Sequence, residues 1–276
     1  YPQKLNYQVV KSGEELNLGK RVLRFIETRM LHWPDSMFTY IPEEKILFSS
    51  DAFGQHYAGP EMFDDNLSET IMHHAKKYYA NILMLYGAKT LKLLSAIKEA
   101  GLEFDMICPD HGVIWRKNPG AIVQAYERWS NQETEDKAVI IYDTMWKSTK
   151  KMAEAIADGL AQRGVTALPL ALRKCDRSDI MTDVLDAKAI IVGSPTLNNN
   201  LFPTIADFLT YMKGLRPKNR IGAAFGSYGW SGESVKIIEK ELTAMKMELP
   251  VPGLKVQYVP DKDALGECVE FGKKIA

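Results

Sequence analysis

Apolar and polar positions follow one repeating pattern in the second half of the chain. "AVIIYD" (138–143) is a continuous apolar run, the form a strand takes when both of its faces are buried. Behind it Met152, Ile156 and Leu160 recur at helical spacing. "TALPLAL", "AIIVGSP" (189–195), "RIGAAFGSYGW" and "LKVQYVP" predict further strands. Ile205, Phe208, Leu209 and Met212 predict one helix, Val235, Ile238, Leu242 and Met245 another, and a last helix runs out at the C-terminus. Such alternation predicts an α/β doubly wound parallel sheet, whose ligands lie beyond the carboxyl ends of its strands.

The first half is more mixed. "LNYQVV" and "KRVLRFIET" alternate like strands, and "EEKILFSSD" is a short apolar strand with a polar end. A long helical pattern covers 66–99, punctuated by Gly87 and Gly101. "FDMICPDHGVIW" reads as a strand that stops at Pro109, and "NPGAIVQAYERWS" as a helix with Ile122, Tyr126 and Trp129 on one face. "NQETEDK" (131–137) has no apolar residue and reads as a linker. The expectation is two domains, 1–132 and 137–276, in keeping with the chain's 276 residues.

Composition narrows the function classes. Hydrophobic residues make up 46% and charged residues 25%, as in globular proteins. The formal net charge is zero, so no positive excess is available for nucleic acid. No apolar run reaches the ~18 residues of a membrane span. Cys108, Cys175 and Cys268 are scattered and form no C-x-x-C pair, which fits a reducing, cytoplasmic setting. The chain starts at Tyr1 rather than Met, within a stretch that reads as mid-domain sequence.

Loops after three of the second-half strands carry unusual chemistry. "DTMWKST" (143–149) offers the hydroxyls of Thr144, Ser148 and Thr149, with Met145 and Trp146 between them, just where a helix begins. Hydroxyls and free helix N–H groups suit a phosphate. The loop lacks G-x-G-x-x-G, which favours a mononucleotide over a dinucleotide; taken alone, it is equally an ordinary helix start. "SPTLNNN" brings Ser194, Pro195, Thr196, Leu197, Asn198 and Asn199. "GSYGWSGES" brings Ser227, Tyr228, Gly229, Trp230, Ser231 and Gly232. Aromatic faces beside backbone donors, with glycines that let backbone approach a flat ring, are what a flavin needs.

These three loops together resemble the FMN domain of the flavodiiron proteins. In the first half "RMLHWPDSM", "SSDAFGQH", "YYANI" and "CPDHGVIW" resemble part of that family's metallo-β-lactamase-like domain. The resemblance runs along essentially the whole chain and is closest to the flavorubredoxin, or nitric oxide reductase, branch. It implies a partial αββα metallo-β-lactamase-like domain followed by a flavodoxin-like one. It implies FMN and a non-heme diiron centre, with His32 and His111 as ligands on different irons and Asp51 as the bridging carboxylate. Taken alone, His32 and His111 read as turn histidines and Asp51 as a turn cap. His56 is a candidate for orienting a ligand. Trp33, Trp146 and Trp230 are candidate walls of the sites.

One departure from the family pattern is clear. No H-x-E-x-D-H stretch, which holds the remaining ligands in the family, occurs in this chain; "HGV" (111–113) and "MHHAKK" (72–77) do not match it. The expectation is that those ligands lie on a preceding segment or a separate chain, with a degenerate site as the alternative. A rubredoxin module beyond Ala276 is also open. The resemblance implies reduction of nitric oxide to nitrous oxide, or of dioxygen to water. It also implies electrons from rubredoxin or a rubredoxin-like domain, and a head-to-tail homodimer or a homotetramer. The competing readings are an FMN electron carrier with an incomplete metal site and, more remotely, a metal-dependent hydrolase.

Overall fold

The computed structural model describes residues 5–276; residues 1–4, the start of the first expected domain, lie outside the described residues. The chain divides into two compact units, 1–131 and 132–276.

The first unit holds a five-stranded sheet of β1 (Glu15–Asn17), β2 (Val22–Glu27), β3 (Met37–Ile41), β4 (Ile46–Phe48) and β5 (Met106–Cys108). Strands β1 to β4 pair antiparallel in sequence order, and β5 adds parallel to β4. Alternation explains β3: Phe38 and Tyr40 are buried, while Met37 and Thr39 are only partly covered. Helices α1 (Ser68–Tyr78), α2 (Gly87–Glu99) and α3 (Pro119–Asn131) complete the unit. Its core is aromatic, with Tyr126 at 4.5 Å from Phe53 and 5.0 Å from Tyr79, ring centre to ring centre. Tyr79 is pinned further by a hydrogen bond between its hydroxyl and that of Ser130 at 2.8 Å.

The second unit is a parallel sheet in the order β10-β9-β8-β6-β7. Its strands are β6 (Glu135–Tyr142), β7 (Thr166–Ala171), β8 (Ala187–Gly193), β9 (Ile221–Tyr228) and β10 (Leu254–Gln257). Its helices are α4 (Ser148–Ala161), α5 (Arg177–Val184), α6 (Pro203–Leu215), α7 (Ser234–Ala244) and α8 (Lys262–Ile275). The apolar run of β6 is buried throughout from Ala138 to Tyr142, as a central strand covered on both faces requires. Cys268 is buried in this core, and burial pushes its thiol up to about 12. It is therefore expected to stay unlabelled by iodoacetamide at pH 8 until the protein is denatured, as intact mass would record.

Four sequence expectations change. "LNYQVV" forms no strand; residues 5–10 carry no regular structure, and the sheet starts at Glu15. The single helical run over 66–99 is α1 and α2 separated by a π-turn (Tyr79–Leu83) and a 3-10 turn (Met84–Tyr86). This keeps Tyr79, Ala80, Leu83 and Met84 buried. "NQETEDK" is no linker: Asn131 ends α3, Glu135 opens β6, and Gln132 is buried. Gln132 uses its polarity internally: its amide donates to the Arg216 carbonyl and accepts from the Lys218 N–H. Its carbonyl accepts from the buried Arg220 at 3.0 Å. Lastly β3 and α5 have no counterpart in the sequence reading. α5 spans only eight residues and has little amphipathic pattern, but its N-cap is visible: the Asp176 carboxylate accepts from the Ser178 N–H at 2.8 Å.

Candidate functional site

In the first unit, the loop after β4 carries Asp51 and the loop after β5 carries His111. Several bonds fix the first loop. Ser49 Oγ donates to the Ala52 carbonyl at 2.7 Å. The Phe53 N–H donates to the Tyr126 hydroxyl at 2.7 Å, and the Phe53 carbonyl accepts from the Trp115 indole at 2.8 Å. The loop after β5 is tied to it, since the Asp110 N–H donates to the Ser50 carbonyl at 2.9 Å. Gly54 permits a close approach: a Cβ there would lie 2.6 Å from Cε1 of His111. The third loop, after β2, carries His32; its Leu31–His32 peptide is cis. Ser36 holds this loop, its carbonyl accepting from the Thr28 N–H and its hydroxyl from the Trp33 N–H at 3.1 Å.

These loops bring the three predicted residues together. Asp51 carries one imidazole at each oxygen: His32 Nε2 lies 3.4 Å from Oδ2, and His111 Nε2 lies 3.4 Å from Oδ1. His111 Nδ1 sits 3.2 Å from the Gln55 carbonyl, to which it donates. Its Nε2 is the nitrogen that faces Asp51 Oδ1. An imidazole held by a backbone carbonyl at one nitrogen and facing a carboxylate with the other has the arrangement of a metal-binding histidine. The residues thus fit metal, as a carboxylate with an imidazole on each side. Among the described residues no group of three or more His, Cys, Asp or Glu closes round a single ion. Each ion would receive two of these three donors and needs more from elsewhere.

Neighbours complete the picture. Tyr78 packs its ring edge-on against His111 and against His56, both at 4.9 Å between ring centres. It is 2% exposed, and its hydroxyl is buried with no hydrogen-bond partner. Burial holds that phenol well above its ordinary value. His56 stands 5.3 Å from the His111 ring but is itself exposed. Trp33 is 60% exposed beside His32. His73 is exposed on α1, whereas His74 rests partly covered against Tyr57. Sequence reasoning missed Gln55 and Tyr78. Both lie inside motifs quoted above, Gln55 in "SSDAFGQH" and Tyr78 in "YYANI", but neither was singled out there.

In the second unit, the three predicted loops leave the carboxyl ends of the adjacent strands β6, β8 and β9. Hydroxyls stitch them together. Thr149 Oγ1 bonds Ser227 Oγ at 2.9 Å, joining the first loop to the third. Thr196 Oγ1 donates to Ser234 Oγ at 2.9 Å, and the Thr196 N–H to the Ser227 carbonyl at 2.9 Å. Ser194 Oγ accepts from the Phe202 N–H at 3.0 Å, and Pro195 is buried beside it. Ser231 Oγ donates to Glu233 instead, and Gly229 offers its carbonyl to Gln257. Leu197 is half-buried, and Asn198 and Asn199 turn with positive φ at an exposed tip. Gly232, at φ 76°, lies against the Tyr228 ring.

Two features fit a flavin mononucleotide. Ser148 opens α4 after Lys147, which provides no side-chain cap, so the first amides of that helix remain available. Thr144 Oγ1, just ahead of them, is buried without a partner. Around this polar end stand Met145, Trp146 and Trp230, whose apolar side chains are exposed, the two indoles by 83% and 85%. Tyr258, 66% exposed, was not foreseen; its N–H donates to the Tyr228 carbonyl at 2.7 Å and so adds β10 to the same rim.

Comparison with known proteins agrees with both halves. Residues 2–112 match the family model described as ODP family beta lactamase, and residues 140–272 the one described as Flavodoxin. A protein of Moorella thermoacetica named nitric oxide reductase is 51% identical over 273 residues, which is 98% of this chain and 68% of that one. The solved rubredoxin oxygen:oxidoreductase from Desulfovibrio gigas superposes with a TM-score of 0.96 at 44% identity, over 99% of this chain and 69% of that one. For the flavodiiron protein from Giardia intestinalis the TM-score is 0.93 at 36% identity, over 97% and 66%. The chain thus spans between 66% and 69% of the length of these relatives. With a β-lactamase-like unit followed by a flavodoxin-like one, and with relatives of this closeness along nearly its whole length, the chain belongs to the flavodiiron protein family, whose cofactors are FMN and non-heme diiron.

Proposed function

We propose that this protein reduces nitric oxide, dioxygen or both, using electrons delivered by a rubredoxin-type donor. The observation that carries the reading is the Asp51 carboxylate with His32 and His111 on its two oxygens, in a chain that also holds a flavodoxin-like unit. When bound, the flavin supplies electrons singly or in pairs, and the irons supply the place where the gas is reduced. The protein's own residues do the rest. Asp51, His32 and His111 hold metal, and Gln55 fixes the orientation of His111. Tyr78 covers one side of His111 and brings an unpaired hydroxyl to the site. Thr144, Ser148 and Thr149 would hold the flavin phosphate. Trp146 and Trp230, with the backbone of 194–199 and 227–232, would offer its ring apolar faces and polar backbone groups. The exposed Met145, Trp146 and Trp230 make an apolar rim to which a rubredoxin-type protein can dock. We further place the protein in the cytoplasm, as a head-to-tail homodimer or a homotetramer. Among the described residues no helix is long and apolar enough to cross a membrane.

A second reading has its own support: an FMN electron carrier whose metal site is incomplete, since these donors do not close round one ion. Flavin and iron content per chain, measured together with nitric oxide and dioxygen consumption under reduced rubredoxin, separates the two. About one flavin with about two irons, and turnover of either gas, is the result expected of the family's chemistry. Flavin with almost no iron and no turnover overturns the reductase reading and leaves the carrier.

A further inference from the structure

Asp143 directly follows the apolar run of β6, and its side chain is only 3% exposed. Both of its oxygens are engaged. Oδ1 accepts from the Thr144 N–H at 2.6 Å, and Oδ2 accepts from Thr204 Oγ1 at 2.6 Å and from Arg173 Nε at 3.0 Å. The donors come from three segments: the loop after β6, the loop after β7 and the first turn of α6. The Arg173 side chain is 59% exposed, yet its guanidinium carbon stands over the Phe202 ring at 5.0 Å, which keeps it at the carboxylate.

A buried carboxylate is a poor neighbour for a phosphate. A phosphate monoester carries about −1.5 to −2 charges near neutral pH, and like charges in a partly buried site repel strongly. Yet Asp143 directly precedes Thr144, whose buried Oγ1 has no partner. Both facts are explained if Asp143 fixes the Thr144 backbone, so that its hydroxyl and the α4 amides face one point. Arg173 then cancels the charge this device introduces.

We propose that Asp143, Thr204 and Arg173 form a positioning network under the phosphate end of the flavin site, and that the charge balance between Asp143 and Arg173 makes the site prefer a phosphorylated flavin to an unphosphorylated one. The proposal rests on the FMN reading above. These are positioning residues, acting through Thr144 and the start of α4.

The test compares FMN with riboflavin, which lacks the phosphate, by flavin fluorescence quenching on the flavin-free protein. Arg173→Gln is expected to weaken FMN binding about tenfold or more, and riboflavin binding less than about twofold, because only FMN meets the uncompensated carboxylate. Arg173→Lys keeps the charge and stays within about threefold of wild type for both. Adding Asp143→Asn to Arg173→Gln restores most of the FMN affinity, since no bare charge remains. The loss in Arg173→Gln shrinks at high salt. A network with a merely structural role moves both flavins equally; equal losses, or no loss, overturn the proposal. Wild-type protein that binds neither flavin overturns the FMN reading instead.

Discussion

Changing Asp51 to asparagine is expected to reduce turnover of nitric oxide or dioxygen by on the order of 10³-fold or more, beyond the 10–100-fold typical of residues that only support a ligand. The carboxylate is the one group that both imidazoles share, at 3.4 Å on either side. An amide offers one oxygen in place of two, and its NH₂ has no lone pair to give a metal. Iron content should fall with activity, while FMN content stays at its wild-type value, since the flavin loops belong to the other unit. The thermal midpoint should hardly move. Asp51 is partly solvent-exposed, and the loop around it is held by Ser49, Phe53 and Trp115 rather than by its own carboxylate. His32→Ala and His111→Ala should each cost nearly as much as the two together, because each imidazole depends on the same carboxylate. Iron and turnover within about threefold of wild type in Asp51→Asn would remove these residues from the metal site.

The first lesson of the sequence is that burial on both faces can be read directly. The run 138–142 has no polar residue, and it became the buried part of a central strand. The helices behind it followed from spacing for the same reason. Partial burial is harder to read. "LNYQVV" alternates as well as any strand, but alternation does not show whether a partner strand lies alongside, and here residues 5–10 have none. "NQETEDK" has the polarity of a linker, yet Gln132 uses that polarity against the backbone at 216–220. Composition cannot distinguish a polar group in water from one satisfied inside.

The candidate sites divide along the same line. Hydroxyl-rich and glycine-rich loops at strand ends can be recognised as local words. His32, Asp51 and His111 are far apart in the chain and could be linked only through their motifs. The groups that support them come from tertiary packing: the Gln55 carbonyl on His111, the Tyr126 hydroxyl on Phe53, the Arg173 guanidinium on Asp143. Gln55 and Tyr126 stand in recognisable stretches, but no local pattern marks which group each one bonds. Asp143 did leave a trace, as an acid closing an otherwise apolar strand, where a buried charge must find a counter-charge.

The largest expected effect on stability lies at the crossing of α4 and α8. A Cβ on Gly159 would lie 2.1 Å from the Val269 carbonyl oxygen, and one on Gly272 would lie 2.3 Å from that of Ile156. Each helix therefore meets the other's backbone, which cannot rotate aside as a side chain can. Gly159→Ala should gain up to about 1 kcal/mol in helix propensity. Against that stands an overpacking cost of about 3 kcal/mol or more, the upper end for a close-packed interior, because two helix backbones must separate. The net expectation is a loss of about 2 kcal/mol or more, read as a lower urea midpoint for the second unit. Separation also shifts the start of α4, so FMN should be released earlier in the transition. Gly266→Ala, on the same α8, is the control: nothing lies within 4 Å of its added methyl, and the same propensity should stabilise by about 0.5–1 kcal/mol. The two substitutions are chemically identical and differ in what the new methyl meets, so opposite signs would isolate the helix contact. If both stabilise alike, α4 and α8 do not approach this closely in solution, and the flavin loop is not anchored through them.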